Sequence, residues 1–276
     1  MTGPAEHAFD FLRTNARPPK PRTRGVTEIR AAYYSVMGPR YLRDVLETMG
    51  EYVDGLKFAG GSFTLMPDRA VREILDIAHE HDVLVSTGGF IEYVLTQGPD
   101  AVHRYVDQCK RFGFDIVEIS TGFITVPPDD VLRLVERVRQ AGLRAKPEVG
   151  IQFGAGGATR PGELEAAGTR DVSSAIDLAR RCLEAGAHMI MIESEGITEE
   201  VTTWRTDVVT AIVRELGLEQ VMFEAADPHV FSWYVQNYGP EVNLFVDHSQ
   251  IVQLECLRQG IWGTAGTWGR ILSYPG

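Results

Sequence analysis

The chain of 276 residues is poor in cysteine and has no long apolar run. Its three cysteines, Cys109, Cys182 and Cys256, lie far apart and form no CxxC pair, which excludes a disulfide framework and a zinc ribbon. No apolar stretch approaches the roughly 18 residues of a membrane span, and the N-terminus has no apolar signal core. We therefore expect a cytoplasmic protein with reduced thiols that does not bind membranes.

Positive charge is also scarce, because 27 Lys and Arg residues stand against 38 Asp and Glu residues, a formal net charge of −11. Nucleic acids and anionic membranes are bound through clustered cations, so we expect neither as a partner. The motifs of dinucleotide binding, P-loops, serine hydrolases and zinc proteases are absent as well. A small anionic substrate stays compatible with this composition, because the field at a site can oppose the net charge.

Apolar residues, by contrast, make up 44% of the chain, and their spacing alternates between two kinds. Short β-branched runs typical of buried parallel strands alternate with longer stretches that have helical spacing. The strand-like runs lie at 26–30, 53–58, 83–88, 115–120, 143–149, 188–194, 221–226 and 242–248. Helical spacing covers 39–50, 67–81, 99–112, 128–141, 171–185, 199–216, 228–238 and 249–259.

Eight such β–α units predict a closed (β/α)8 TIM barrel, an α/β fold in which all strands are parallel. We expect an N-terminal arm at 1–24 and a single barrel domain at 25–276. One connection is long: residues 151–170 follow strand five, are rich in glycine and carry Arg160 and Arg170. Long connections in compact domains are usually functional, so this one is predicted to be a mobile lid.

Glutamates stand at or near the ends of four consecutive predicted strands, at Glu118, Glu148, Glu193 and Glu224. The carboxyl ends of all strands open onto one face of a TIM barrel, where active sites lie, so these carboxylates should converge. Converging carboxylates raise one another's pKa unless a cation compensates them. Oxygen ligands suit a hard divalent cation such as Mg²⁺. In the alternative interpretation, some of these acids pair with Arg30, Lys57 or Lys146.

A candidate anion-binding segment follows strand two. Lys57 ends that strand, and Gly60, Gly61 and Ser62 come directly after it. A glycine pair lets backbone N–H groups approach an anion closely, and a lysine adds positive charge. We expect this segment to bind substrate.

Two further candidates end strands one and eight. Arg30 can bind a carboxylate or phosphate with two hydrogen bonds, although it could equally pair with one of the acids. His248 is a candidate acid, base or substrate ligand, and a role in the helix cap of the DHSQ segment is equally open.

Several segments resemble the phosphosulfolactate synthase family. They are YVDGLKFAGGS, STGGFIEYV, GFDIVEIS, KPEVG, AGAHMIMIE and FEAADPHV, and they run from about residue 25 to residue 260. The segments RPPKPRTRGVTEIR, GGSFTLMPD, RAKP and VDHSQIVQLECLR are closer to the plant heat-stress-associated branch of that family. The resemblance implies a barrel enzyme that adds sulfite to phosphoenolpyruvate with Mg²⁺, and it suggests a homo-oligomer.

The family's acidic and basic motif positions are matched by Lys57, Glu118, Glu148, Glu193 and Glu224. Adjacent strand ends five and six bring the carboxylates of Glu148 and Glu193 together, so we expect these two to bind Mg²⁺, with Lys57, Glu118 and Glu224 as catalytic residues. Gln152, expected near the substrate, replaces a lysine that the family uses as proton donor, and an amide cannot act as an acid. An arginine usual after strand six is also replaced within 193–196.

Lys146 lies two residues before Glu148 and therefore on the same face of strand five. We expect Lys146 to replace the missing proton donor, although nearby acids would oppose the necessary lowering of its pKa. The leading hypothesis is a Mg²⁺-dependent lyase that acts on a small phosphoenolpyruvate-like anion. A related barrel enzyme with another enolate substrate and a non-enzymatic stress-protective homologue are the alternatives.

Overall fold

The computed structural model describes residues 7–31, 35–152, 154–155, 168, 171–262 and 267–274. Within them, eight parallel strands close into a barrel in chain order, which confirms the predicted (β/α)8 fold. The strands are β1 (Thr27–Arg30), β2 (Gly55–Lys57), β3 (Leu84–Ser86), β4 (Ile116–Ile119), β5 (Arg144–Val149), β6 (Ile190–Ile192), β7 (Val221–Glu224) and β8 (Leu244–Asp247).

Helices follow the strands, and proline or glycine marks many of their ends. They are α1 (Pro39–Met49), α2 (Asp68–Glu80), α3 (Ile91–Leu95), α4 (Pro99–Phe112), α5 (Pro128–Gln140), α6 (Val172–Glu184), α7 (Thr206–Leu216), α8 (Pro228–Tyr238) and α9 (Ile251–Arg258). Gly113 ends α4 with φ +102°, and its N–H donates to the Cys109 carbonyl. Glycine adopts this left-handed conformation without a steric penalty, so the chain can turn towards β4.

Two apolar clusters hold the barrel together. The larger one packs the outward side chains of the strands against the helices, with Ile29, Val117 and Phe223 fully buried. The smaller one contains Met189, Met191, Met222 and Phe245. Because side chains alternate along a strand, Met222 shares its face with Glu224, so the smaller cluster belongs to the barrel interior. The interior thus combines apolar and ionic groups.

One predicted helix was too long. The spacing predicted a helix over 199–216, whereas α7 begins at Thr206. The preceding residues form a loop, buried at 193–198 and more exposed at 199–205, in which Ser194 Oγ donates to Glu199 Oε2 at 2.6 Å. Trp204 gave the segment helical spacing, but its ring packs edge-on against Trp233 with centroids 6.2 Å apart. The apolar residue anchors the loop and does not extend the helix.

The N-terminal arm is attached to the N-terminal end of the barrel by charged side chains. Arg17 Nε donates to Glu255 Oε1 at 2.8 Å, and Arg22 Nη1 donates to Asp54 Oδ1 at 2.9 Å. Lys20 Nζ donates to the His81 carbonyl at 2.8 Å.

The predicted lid at 151–170 falls largely on residues 153, 156–167 and 169–170, outside the described residues. No helix in the described part of the chain is both long and apolar enough to cross a membrane.

Candidate active site

Lys57 occupies the centre of the carboxylate cluster at the C-terminal mouth of the barrel. Its Nζ lies 2.9 Å from Glu118 Oε1, 3.0 Å from Glu224 Oε1 and 3.5 Å from Glu148 Oε2. The ring of Phe245 covers the ammonium at 4.4 Å. Burial alone would lower the pKa of Lys57, but the surrounding acids, Glu118 first, raise it well above its ordinary value. Lys57 is therefore a fixed cation and cannot serve as a base.

A series of alternating charges continues from Lys57 into the barrel. Glu118 is fully buried, and its Oε2 lies 3.1 Å from Lys146 Nζ. Lys146 Nζ in turn lies 2.5 Å from Glu28 Oε2. Burial opposes ionisation of Glu118, but the two lysines hold its pKa below the ordinary value. We name this series of Glu28, Lys146, Glu118 and Lys57 the axial charge chain.

The carboxylates above the axial charge chain are less well compensated. Burial raises the pKa of Glu148 to about 8, and Glu118 and Glu224 add to this against the opposing effect of Lys57. The pKa of Glu193 is raised well above its ordinary value by burial and by Glu224 and Glu148. The mouth therefore retains protons near neutral pH.

Ser120 joins this cluster to a further glutamate. Its Oγ lies 2.5 Å from Glu92 Oε1 and 2.8 Å from Glu148 Oε1. A hydroxyl group has one proton and can donate to only one of these carboxyl groups. Glu92 also accepts from the N–H groups of Gly122 at 3.0 Å and Phe123 at 2.8 Å, which favours its role as acceptor. When Ser120 Oγ donates to Glu148 Oε1 instead, the hydrogen bond lowers the pKa of Glu148 against the larger effect of burial.

Glu148 and Glu193 form a donor set that fits Mg²⁺. No group of three or more His, Cys, Asp or Glu side chains is already gathered for a metal in the described part of the chain. Mg²⁺ is commonly held by only one or two carboxylates, with water and substrate completing the shell. Burial and, after it, repulsion from neighbouring acids raise the pKa of both groups, and a cation here would relieve the repulsion. The occupancy of this site by Mg²⁺ stays a prediction.

Gln152 stands beside the loop that follows β6. Its side chain is buried, and its Cγ lies 2.0 Å from the position that a Cβ on Gly196 would take. Gly196 has φ +84°, so both its conformation and this close contact require glycine. The amide that replaces the family's lysine is thus held in the wall of the mouth.

The Gly60–Ser62 segment is shaped by packing as much as by its predicted contact with an anion. Gly61 has φ +69°, and a Cβ there would lie 2.1 Å from the Phe90 ring. The Ser62 N–H already donates to the Ala59 carbonyl at 3.0 Å. The substrate-binding role of Gly60, Gly61 and Ser62 stays a prediction, and the Ser62 N–H is engaged in the turn.

Arg30 and His248 lie together at the rim. Arg30 Nε is 3.6 Å from Asp247 Oδ2, because the ends of β1 and β8 are paired in register. His248 Nδ1 lies 3.2 Å from Asp247 Oδ1, and its Nε2 lies 3.0 Å from the Tyr41 hydroxyl. Asp247 also accepts from the Ser249 N–H at 3.0 Å. These contacts match the pairing and capping alternatives for the rim residues, while their roles towards substrate stay predictions.

The structure therefore brings five predicted residues into one cluster: Lys57, Glu118, Glu148, Glu193 and Glu224. Lys146 lies deeper, between Glu28 and Glu118. Sequence reasoning missed Glu28 and Ser120, and it gave Glu92 no role. Strand alternation could have found the first two, because Glu28 lies two residues before Arg30 and Ser120 two residues after Glu118.

Comparison with known proteins identifies the family. The model of (2R)-phospho-3-sulfolactate synthase (ComA) matches residues 15–264. The chain belongs to this family. A similar curated protein is Protein HEAT-STRESS-ASSOCIATED 32 of Arabidopsis thaliana, 42% identical over 260 residues that cover 90% of each chain. The phosphosulfolactate synthase of Methanothermobacter thermautotrophicus is 29% identical over 264 residues, covering 93% of this chain and 96% of that one.

The resemblance to the phosphosulfolactate synthase family and its heat-stress-associated branch is thus confirmed. Among solved structures, the carboxyl transferase domain of Rhizobium etli pyruvate carboxylase has a TM-score of 0.55 at 13% identity. The match covers 84% of this chain and 41% of that one. At this identity the likeness concerns the fold alone.

Proposed function

We propose that this family member is a Mg²⁺-dependent lyase that adds sulfite, or a related nucleophile, to phosphoenolpyruvate. The observation that carries the proposal is the convergence of Glu148, Glu193 and Glu224 on one buried site, where burial first and then repulsion between acids raise the pKa of the first two. Family membership supports a lyase of this class.

In this proposal Glu148 and Glu193 hold Mg²⁺, and Lys57 and Arg30 attract the anionic substrate. When bound, Mg²⁺ would stabilise negative charge that develops on substrate oxygens. Lys57 remains positively charged and fixes the carboxylate of Glu224 at 3.0 Å. Because it is already ion-paired, Lys57 acts mainly through its charge.

Proton supply is where this chain departs from the family. Gln152 cannot donate a proton as an acid. Lys146 is the predicted replacement, but its ammonium contacts Glu28 and Glu118, so its effect on the mouth would pass through Glu118 and Lys57. We expect Lys146→Ala to retain Mg²⁺ binding and to lose turnover. Lys146→Arg keeps the charge but cannot release a proton, so activity in that variant would indicate a positioning role.

The first experiment is calorimetric titration of Mg²⁺ at pH 7 in two buffers of different ionisation enthalpy. Binding should release at least one proton, because a cation displaces the protons held by Glu148 and Glu193. Glu148→Gln should weaken Mg²⁺ binding at least ~10-fold, since it removes a charged ligand. The exposed substitution Glu136→Gln is the matched control and should leave binding unchanged. Absence of saturable Mg²⁺ binding contradicts the metal proposal.

The second experiment is an assay of product formation from phosphoenolpyruvate and sulfite. Turnover that requires Mg²⁺ supports the proposal. Mg²⁺ binding without turnover favours the alternative, an enzyme that acts on another enolate substrate. The observation behind this alternative is that Gln152, which replaces the family's lysine, lies in the wall of the mouth. Sulfite addition that appears only after Gln152→Lys would identify this residue as the point of departure. If the protein neither binds Mg²⁺ nor forms product, a non-enzymatic role is favoured, as a homologue of Protein HEAT-STRESS-ASSOCIATED 32.

A further inference from the structure

The opposite, N-terminal end of the barrel contains a cavity of about 730 Å³. Residues 20–23 of the arm form one side, and Glu28 and Lys146 of the axial charge chain line its inner end. Its apolar wall includes Ile116, Met189 and Met222, all buried. This volume lies within the ~300–1,000 Å³ of small-molecule pockets.

Arg144 and His188 are two exposed basic side chains of this cavity that have no acidic partner in the described part of the chain; Arg144 is positively charged, and His188 is neutral at pH 7. Arg144 is the first residue of β5, and His188 lies two residues before the neighbouring strand β6. Within the described part of the chain, neither side chain makes a hydrogen bond or an ion pair. Both side chains are thus available to a ligand.

Four acids line the same cavity, and three of them already contact cations. Glu28 Oε2 lies 2.5 Å from Lys146 Nζ, Asp54 contacts Arg22 at 2.9 Å, and Glu219 contacts Arg24 of the arm. These three paired acids do not offset the charge of Arg144, and Asp82 is the fourth carboxylate of the lining.

The field at His188 agrees with the positive charge of Arg144. Desolvation first, and then repulsion from Arg144 and Lys146, lower the pKa of His188 to about 4. A bound anion would oppose all of these effects, because it stabilises an imidazolium.

We propose that this cavity is a second ligand site, which binds a small carboxylate with a short aliphatic body. The carboxylate would contact Arg144 and His188, and the aliphatic part would lie against Met189, Met222 and Ile116. An arginine fork matches a carboxylate with two hydrogen bonds, and the buried methionines adapt to an aliphatic chain. This site is separate from the carboxylate mouth, so the proposal does not depend on the proposed function.

The probes are hexanoate, hexan-1-ol and acetate, titrated calorimetrically into the full chain at pH 7. Hexanoate should bind saturably. Hexan-1-ol, which lacks the charge, and acetate, which lacks the aliphatic body, should each bind at least tenfold more weakly. Arg144→Gln should weaken hexanoate at least fivefold and leave hexan-1-ol unchanged. Arg214→Gln, an exposed arginine on α7, is the matched control and should bind hexanoate like the wild type.

A second readout locates the ligand. Hexanoate should raise the pKa of His188 by at least one unit in a proton NMR titration of its ring, and Glu148→Gln should retain hexanoate binding. Non-saturable binding, equal affinity in Arg144→Gln, or an unchanged His188 titration would each overturn the proposal. Loss of hexanoate binding in Glu148→Gln would overturn it as well, because the ligand would then occupy the mouth.

Discussion

The two ends of the barrel interior use the same kinds of charged residue in different proportions. At the C-terminal mouth, several carboxylates surround the ammonium of Lys57, and negative charge is in excess. At the N-terminal end, Lys146 and Glu28 compensate each other, and Arg144 adds a positive charge. This difference shows that the charge that remains unpaired at each end of the barrel, more than the number of charged residues there, indicates which ligand that end can bind. By this criterion we expect a cation at the mouth and an anion in the opposite cavity.

Removal of Lys57 is the strongest way to break this arrangement. Lys57→Met leaves buried Glu118 with one lysine partner and Glu224 without its ammonium, so the free energy of unfolding should fall by about 3–5 kcal/mol. Urea unfolding at pH 7 measures this change. Lys110→Met, a substitution of an exposed lysine, is the control and should change stability by less than about 1 kcal/mol. Equal effects of the two substitutions would mean that Lys57 does not hold the mouth together.

The axial charge chain can be examined by a double-mutant cycle at its other end. Lys146→Met should destabilise the protein by about 2–4 kcal/mol, because Glu28 and Glu118 both lose a partner. Glu28→Gln removes one of the stranded charges, so the double variant should be more stable than the sum of the single effects implies. We expect a coupling free energy of about 1–3 kcal/mol from urea unfolding. Additive effects would show that the 2.5 Å contact carries no net energy.

The protons retained at the mouth should appear as a pH dependence of stability. The pKa of Glu148 is raised to about 8, above the ordinary carboxyl value, so the folded state binds more protons than the unfolded state between about pH 4.5 and pH 8. Without divalent cations, the free energy of unfolding should therefore fall as the pH rises through this window and level off above it.

Glu148→Gln mimics the protonated acid and should flatten that slope by up to ~1.4 kcal/mol per pH unit, leaving the part that comes from Glu193. Urea unfolding at pH 5, 6, 7 and 8 in the presence of a chelator measures the slope, with Glu136→Gln as control. A stability that increases from pH 5 to pH 8 in the wild type, or an unchanged slope in Glu148→Gln, would contradict the assigned proton.

The fold was readily predicted from the sequence, because the strand-like runs and helical spacing alternate without interruption. The start of α7 was the exception, since Trp204 has the spacing of a helix face but anchors a loop on α8. Local periodicity cannot distinguish these two cases, which differ only in where the chain lies in space.

The residue types at the mouth were also predictable, because a glutamate at a barrel strand end can only face the mouth or the helices. Pairing was harder to predict. Strand alternation placed Lys146 and Glu148 on one face of β5 but did not predict how deep in the barrel each side chain lies. Lys146 lies between Glu118 and Glu28. Glu92 lies on the helix after β3 and contacts Ser120. The two residues are far apart in the sequence, so no local pattern predicts this contact.

The axial charge chain also restricts the order in which substitutions can accumulate during evolution. Glu118 touches two lysines, so a lineage that first neutralises Glu118 leaves two buried ammonium groups close together. Glu28 stands at the end of the series and leaves Lys146 with Glu118 when it is lost. Divergence of this interior should therefore begin at Glu28 and proceed inward, because along that route Glu118 stays between the two lysines until one of them has been replaced.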